Sequence, residues 1–124
     1  MINITKINFE DINFKKEAKK ERVTFDNPNN AYWFGIYEDN MLVSVYCLVM
    51  SKNKARFKSN YTLPAYRRRG YLTAFINHSK FICRKNNIKE ITAFCTPLSV
   101  TSHLKNGAVA VSNKKDITFI KYSL

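Results

Sequence analysis

Between Asn40 and Lys89 the chain contains no aspartate and no glutamate. Glycine, proline and cysteine occur only three times each in 124 residues, and tryptophan once. Each scarcity excludes something. So little glycine and proline leaves no room for a collagen-like or low-complexity architecture. The cysteines, Cys47, Cys83 and Cys95, are odd in number and form no C-x-x-C pair. They read as buried free thiols in a reducing compartment, which places the protein in the cytoplasm. With only His78 and His103 beside them, no metal-ligand spacing is present and no metal is expected. The longest apolar run, MLVSVYCLVM at 41–50, is too short for a membrane-spanning helix and reads as a buried strand. The opening MINITKINFEDINFKK mixes apolar and charged residues, so neither a signal peptide nor a membrane partner is expected.

What is present is positive charge and a core. The net charge is +12, and 45% of the residues are hydrophobic. That is enough to fold one domain over residues 1–124. The acid-free segment carries Lys52, Lys54, Arg56, Lys58, Arg67, Arg68, Arg69, Lys80, Arg84, Lys85 and Lys89. A field of this sign attracts anions: nucleic acid, phosphorylated cofactors, acidic proteins or anionic lipid.

Periodicity gives the order of elements. Residues 2–9 alternate as a first strand, and 10–21 read as a helix with Ile12, Phe14 and Ala18 as its apolar side. AYWFGIYE (31–38) and MLVSVYCLVM form a hairpin around Asp39-Asn40. In 55–63, Ala55, Phe57, Ser59, Tyr61 and Leu63 fall on one face, with Arg56, Lys58, Asn60 and Thr62 on the other. A helix over about 71–85 follows, then a strand at 90–96. Pro97 and Gly107 bracket a short helix, and a hairpin around Lys115-Asp116 closes the chain. This is a mixed α/β arrangement.

One stretch carries chemistry. In LPAYRRRGYLTAFI (63–76), three arginines meet a glycine where an apolar helix begins. The first turn of a helix leaves N–H groups without partners and carries the positive end of its dipole, and glycine allows close backbone approach. A pyrophosphate fits such a place.

That loop, set in this element order, resembles the GCN5-related N-acetyltransferases (GNAT). The family motif is Arg or Gln, two residues, Gly, any residue, then Gly or Ala. Arg67, Arg68, Arg69, Gly70, Tyr71 and Leu72 stand in those places, with Leu72 departing from the small residue. The resemblance implies a near-minimal member: a central, mostly antiparallel sheet of about six to seven strands with a splayed strand pair and about three helices. It implies acetyl-CoA (coenzyme A) as cofactor. The pyrophosphate would rest on the amides of residues 68–73, helped by the Thr73 hydroxyl, with the arginines reaching the 3′-phosphate. Backbone groups at Tyr61, Thr62 and Leu63 would pair with the pantetheine arm.

Acyl transfer to an amine also needs a proton donor and a base. CTPLSVTSHLKNGA (95–108) resembles the family segment whose tyrosine precedes a glycine by four residues; here His103 holds that place. His103 is therefore the expected proton donor, with Tyr61, Ser99 and Ser102 as other donors. Lys58, Asn60 and Thr96 are expected to face the acceptor. A carboxylate base would have to come from the N-terminal third, for example Glu21 or Asp26; otherwise water or an already neutral amine must suffice. Lys58 would repel a cationic acceptor. The expected activity is acyl-CoA-dependent N-acyltransfer in a ternary complex, to an amine on an acidic protein or nucleic acid. One alternative is nucleic-acid base modification, as in phage Mom-type proteins that resemble acetyltransferases in fold, with Phe81 or Trp33 stacking a base. Another is a non-catalytic basic binding module.

Overall fold

In a computed structural model, residues 2–124 are described. The strands are β1 (Thr5–Ile7), β2 (Ala31–Glu38), β3 (Met41–Ser51), β4 (Lys54–Thr62), β5 (Glu90–Cys95), β6 (Val109–Lys114) and β7 (Ile117–Ser123). The α-helices are α1 (Lys15–Lys20), α2 (Tyr71–Lys85) and α3 (Pro97–Lys105). Short 3-10 turns occupy Phe9–Asp11 and Pro64–Tyr66.

Turn chemistry sets the hairpins. Asp39 and Asn40, and again Lys115 and Asp116, have positive φ, as two-residue hairpin turns require. The seven strands form one sheet in the order β1-β2-β3-β4-β5-β7-β6. Neighbours are antiparallel except β4 and β5, whose parallel pairing is bridged by α2.

The middle of the sheet, at β3, is buried on both faces. Val43, Tyr46 and Leu48 of β3 pack with Phe75, Ile76 and Cys83 of α2, and with Ile91 and Ile120. Leu42, Val45 and Cys47 face the other way, against Ile12, Phe14 and Ala18. This double burial explains why β3 reads as an apolar run broken only by Ser44, which is itself buried.

Two expectations are corrected. Residues 10–21 do not form one helix: Ile12 is extended (φ −83°, ψ 113°) between the 3-10 turn and α1. Ile12 and Phe14 are each 3% exposed in the same core. Side chains two apart share a face in extended chain, whereas a helix would set them about 200° apart. In β4, alternation fails midway. Phe57 packs in the α2 core but Tyr61 in the opposite one. The register shifts between Val45–Tyr61 and Cys47–Lys58, so Ser59 and Asn60 share the place opposite Tyr46. Ser59 has φ 55°, and the Asn60 side-chain amide donates to the Val45 carbonyl at 3.1 Å. This is a β-bulge, which turns the strand and re-aims its side chains.

Phe75 is fully buried, and Phe81 on the same helix is 59% exposed. Phe75→Ala is expected to cost about 3–5 kcal/mol of stability, and Phe81→Ala about 0.5 kcal/mol or less, by chemical denaturation.

Candidate active site

Strands β4 and β5 pair only at Lys54–Glu90, Ala55–Ile91 and Arg56–Thr92. Beyond that they part, while β5 continues its ladder with β7 to Cys95. The gap opens into a cleft of about 760 Å³. It is walled by the second half of β4, the start of α2, the face of α3 and the segment 21–26. The β4 edge toward the cleft has no strand partner there, so its backbone groups need water or a ligand.

The start of α2 points the same way. Gly70 is its N-cap, with φ 83° and no side-chain cap, and the first turn holds no acid. The first helical bond runs from the Ala74 N–H to the Gly70 carbonyl at 3.0 Å. The amides of Tyr71, Leu72 and Thr73 therefore have no acceptor within the helix. Arg68 also has positive φ, 65°, so two left-handed residues flank Arg69. A Cβ at Gly70 would meet only the tip of Ile2, at 3.9 Å. Leu72 packs against the α2 core, and Thr73 is exposed.

The three arginines separate into different tasks. Arg67 donates from Nε to the Thr62 carbonyl at 2.9 Å and from Nη2 to both Glu21 carboxylate oxygens at 2.8 Å. Arg69 lies 3.8 Å from Glu38 and over the Tyr66 ring, and the Tyr71 hydroxyl donates to the same Glu38. Among the described residues Arg68 alone of the three is exposed with no ion-pair partner.

Segment 21–26 is stitched onto β4 at alternate points. The Tyr61 hydroxyl donates to Glu21 at 3.0 Å, the Ser59 hydroxyl to the Thr24 carbonyl at 2.6 Å, and Lys58 to the Asp26 carboxylate. The Arg67 hydrogen bond, then that from Tyr61, holds Glu21 below its ordinary 4.5 against the opposing effect of burial. The Lys58 hydrogen bond likewise lowers Asp26. Burial first, and Glu21 next, push the Tyr61 hydroxyl up. Lys58 therefore reaches the cleft with its charge matched by a carboxylate. The repulsion expected of it is largely cancelled.

His103 lies at the cleft's inner wall and is 2% exposed. Its Nδ1 is 2.8 Å from the Tyr122 hydroxyl, and its ring meets Phe57 edge-on at 5.3 Å. Burial lowers its pKa to about 4, so at neutral pH the ring carries no charge. Tyr122, which the sequence reading did not single out, also donates to the His103 carbonyl at 3.2 Å. Thr96 is the N-cap of α3, with its carbonyl accepting from Ser99 and Val100. Ser99 and Ser102 line the cleft. Trp33 is 3% exposed and donates to Asn27, so it is a core residue and not a stacking platform. Among the described residues no three His, Cys, Asp or Glu side chains converge on a metal position, and no helix is long and apolar enough to cross a membrane.

Residues 1–103 match the sequence profile described as the acetyltransferase (GNAT) family. No curated protein matches the sequence. The fold is similar to that of the PaiA N-acetyltransferase of Thermoplasma acidophilum, solved with coenzyme A, at TM-score 0.83 and 16% identity, covering 100% of this chain and 99% of that one. It is also similar to a GNAT-family acetyltransferase of Staphylococcus aureus Mu50, at TM-score 0.77 and 14% identity over 100% and 99% of the two chains. A GNAT-family acetyltransferase of Elizabethkingia anophelis, solved with acetyl-CoA bound, gives TM-score 0.72 and 11% identity over 99% and 98%.

The lowered Glu21 pKa has a stability consequence. A carboxylate depressed on folding contributes stability above its unfolded value, and that contribution is lost as pH falls through the folded value. The advantage of wild type over Glu21→Gln in denaturant midpoint is expected to be present at pH 6 and to disappear as pH falls below the ordinary 4.5. Both partners are about a third exposed, so the difference is expected to be modest and to shrink with added salt.

Proposed function

The chain belongs to the GNAT family of acetyltransferases, and from that premise we propose that it transfers an acetyl group from acetyl-coenzyme A directly to an amine carried by an acidic macromolecule. The observation that carries this reading is the uncapped start of α2 at Gly70, opening onto a cleft beside the unpaired edge of β4.

The residues fit the cofactor. A diphosphate at the helix start would satisfy the amides of Tyr71, Leu72 and Thr73 and sit at the positive end of the dipole. The Thr73 hydroxyl adds a donor, and Arg68 is the arginine free to meet a further phosphate. Arg67 and Arg69 are engaged by Glu21 and Glu38, so they hold the loop's shape. Along Tyr61, Thr62 and Leu63 the Leu63 N–H already donates to the Val43 carbonyl and the Thr62 carbonyl already accepts from Arg67, so an extended ligand arm lying there like an added strand would pair with the backbone groups that remain. Bound acetyl-CoA supplies the thioester carbon that an amine attacks.

The protein's own part is to orient and to manage protons. His103, neutral at pH 7, offers a ring hydrogen bond at the inner wall rather than a proton from an imidazolium. Tyr61 is held to ionised Glu21, so its hydroxyl proton is already engaged. Neither Glu21 nor Asp26 is a strong base, because each is stabilised as an anion by a cation. The amine must then arrive neutral or lose its proton to water. Lys58, Asn60 and Thr96 border the acceptor side, where Arg22 and Arg56 are exposed and without ion-pair partners among the described residues. That excess of cations favours an acceptor set in an acidic surface.

Calorimetric titration with acetyl-CoA and with CoA tests the cofactor. Gly70→Glu puts a side chain on a left-handed residue and a carboxylate at the helix start. Affinity is expected to fall at least about 100-fold, or about 2.7 kcal/mol, with the circular dichroism spectrum unchanged. A wild-type protein that binds neither ligand at millimolar concentration overturns the proposal.

The pH–rate profile tests the role of His103. With its pKa near 4, no imidazole inflection is expected between roughly pH 5.5 and 8, and His103→Gln is expected to lower kcat about tenfold through the lost hydrogen bond. A wild-type inflection near pH 6.5 that disappears in His103→Gln would show a charged imidazole at work instead.

A further inference from the structure

The end of the sheet farthest from the cleft mouth gathers cations without ion-pair partners among the described residues. Two turns distant in sequence meet there. The Lys89 N–H donates to the Asn53 carbonyl at 3.0 Å, which joins the β3–β4 turn to the loop after α2. That junction brings together Lys52 and Lys54 from one turn and Arg84, Lys85 and Lys89 from the other. All five are exposed, and none has an ion-pair partner among the described residues. The nearest acid in the register, Glu90 opposite Lys54, is paired with Lys121 at 3.7 Å. On the α2 side of this end Phe81 is 59% exposed, with the Lys85 ammonium 5.4 Å from its ring centre.

This end is connected to the cleft. Lys54 and Arg56 point to the face of β4 opposite buried Ala55 and Phe57. Arg56 and Asp26 line both the cleft and an adjoining hollow of about 350 Å³ that reaches Lys54. A shallow cationic path therefore runs from the lysine-rich end to the acceptor side, and the carboxylates along it, Glu90 and Asp26, are matched by Lys121 and Lys58.

We propose that this end of the molecule, with the path past Arg56, is a binding surface for the sugar–phosphate backbone of nucleic acid. Unpaired lysines and arginines on mobile stems match repeating phosphates. The exposed Phe81 ring beside Lys85 offers one stacking platform. A protein partner would need an apolar centre to its interface, and here Phe81 is the exposed large apolar side chain among the described residues 81–90. The inference deepens the reading of an acidic acceptor, and it rests on that reading only for what the bound strand is brought to. The binding itself needs neither coenzyme nor transfer.

The test is fluorescence anisotropy of the full chain with a labelled 20-nucleotide single strand and its duplex, without coenzyme. Binding is expected, and for the single strand it should weaken about 100-fold between 50 and 200 mM salt if about five phosphates are neutralised. The triple variant Lys52→Gln, Lys54→Gln, Lys89→Gln should bind at least tenfold more weakly, with a salt slope smaller by about 2. A control variant, Lys16→Gln, Lys19→Gln, Lys20→Gln, removes the same charge from exposed α1 positions and should bind within about twofold of wild type. Circular dichroism and acetyl-CoA titration of both variants separate loss of this surface from loss of fold or of the cofactor site. No binding of either nucleic acid at 50 mM salt overturns the proposal. So does equal weakening in the control, which would mean diffuse charge alone. Polyglutamate competing as well as the single strand would move the partner to an acidic protein and also overturn it.

Discussion

The parting of β4 from β5 after three paired residues is the constraint on which the molecule depends. A continuous parallel ladder would satisfy the backbone of both strands and leave no cleft. Because α2 carries the chain from the end of β4 back to the start of β5, its N-terminus lies at the end where the strands separate. One topological choice therefore sets free backbone groups and a helix dipole against the same space. The bulge at Ser59 and Asn60 belongs to this arrangement: it swings Tyr61 away from the α2 core and toward the segment that closes the cleft's other side.

Charge is distributed with a similar division. Among nine acidic residues, Glu21, Asp26 and Glu38 are each set on a cation around the cleft: Arg67, Lys58 and Arg69. They fix the walls and leave Arg68 unmatched beside the helix start. Away from the cleft, the exposed turns are left with unpaired lysines and arginines. The net +12 is thus not a uniform coat: three ion pairs cancel charge around the cleft, whereas at the far end Glu90 takes Lys121 and five exposed lysines and arginines stay unmatched.

Much of this was legible from local rules. The Asp39-Asn40 and Lys115-Asp116 turns, the helical period of 71–85 and the glycine after the arginines each depend on neighbours in sequence, and the elements fall within a residue or two of where those signals put them. What stayed hidden depends on distant partners. The arginine triplet looks uniform in sequence, yet Arg67 and Arg69 are distinguished by carboxylates dozens of residues away. Glu21 and Asp26 are legible only as examples of a carboxylate from the N-terminal third, and their engagement with Arg67 and Lys58 requires the fold. Alternation could not reveal the bulge, because polar Ser59 and Asn60 fit either face. Tyr122 carried no signal beyond its place in an alternating strand, and its contact with His103 crosses 19 residues.

The three cysteines are all buried, with thiols pushed up to about 11 by burial. In the folded chain their sulfurs are both shielded and protonated, so thiol-specific reagents meet almost no nucleophile. Cys47 lies in one core, and Cys83 and Cys95 in the other. The rate at which each becomes alkylated would therefore time the opening of the sheet's two sides separately, with no label added. A single cysteine introduced on the surface would be the one fast-reacting handle for attaching a probe.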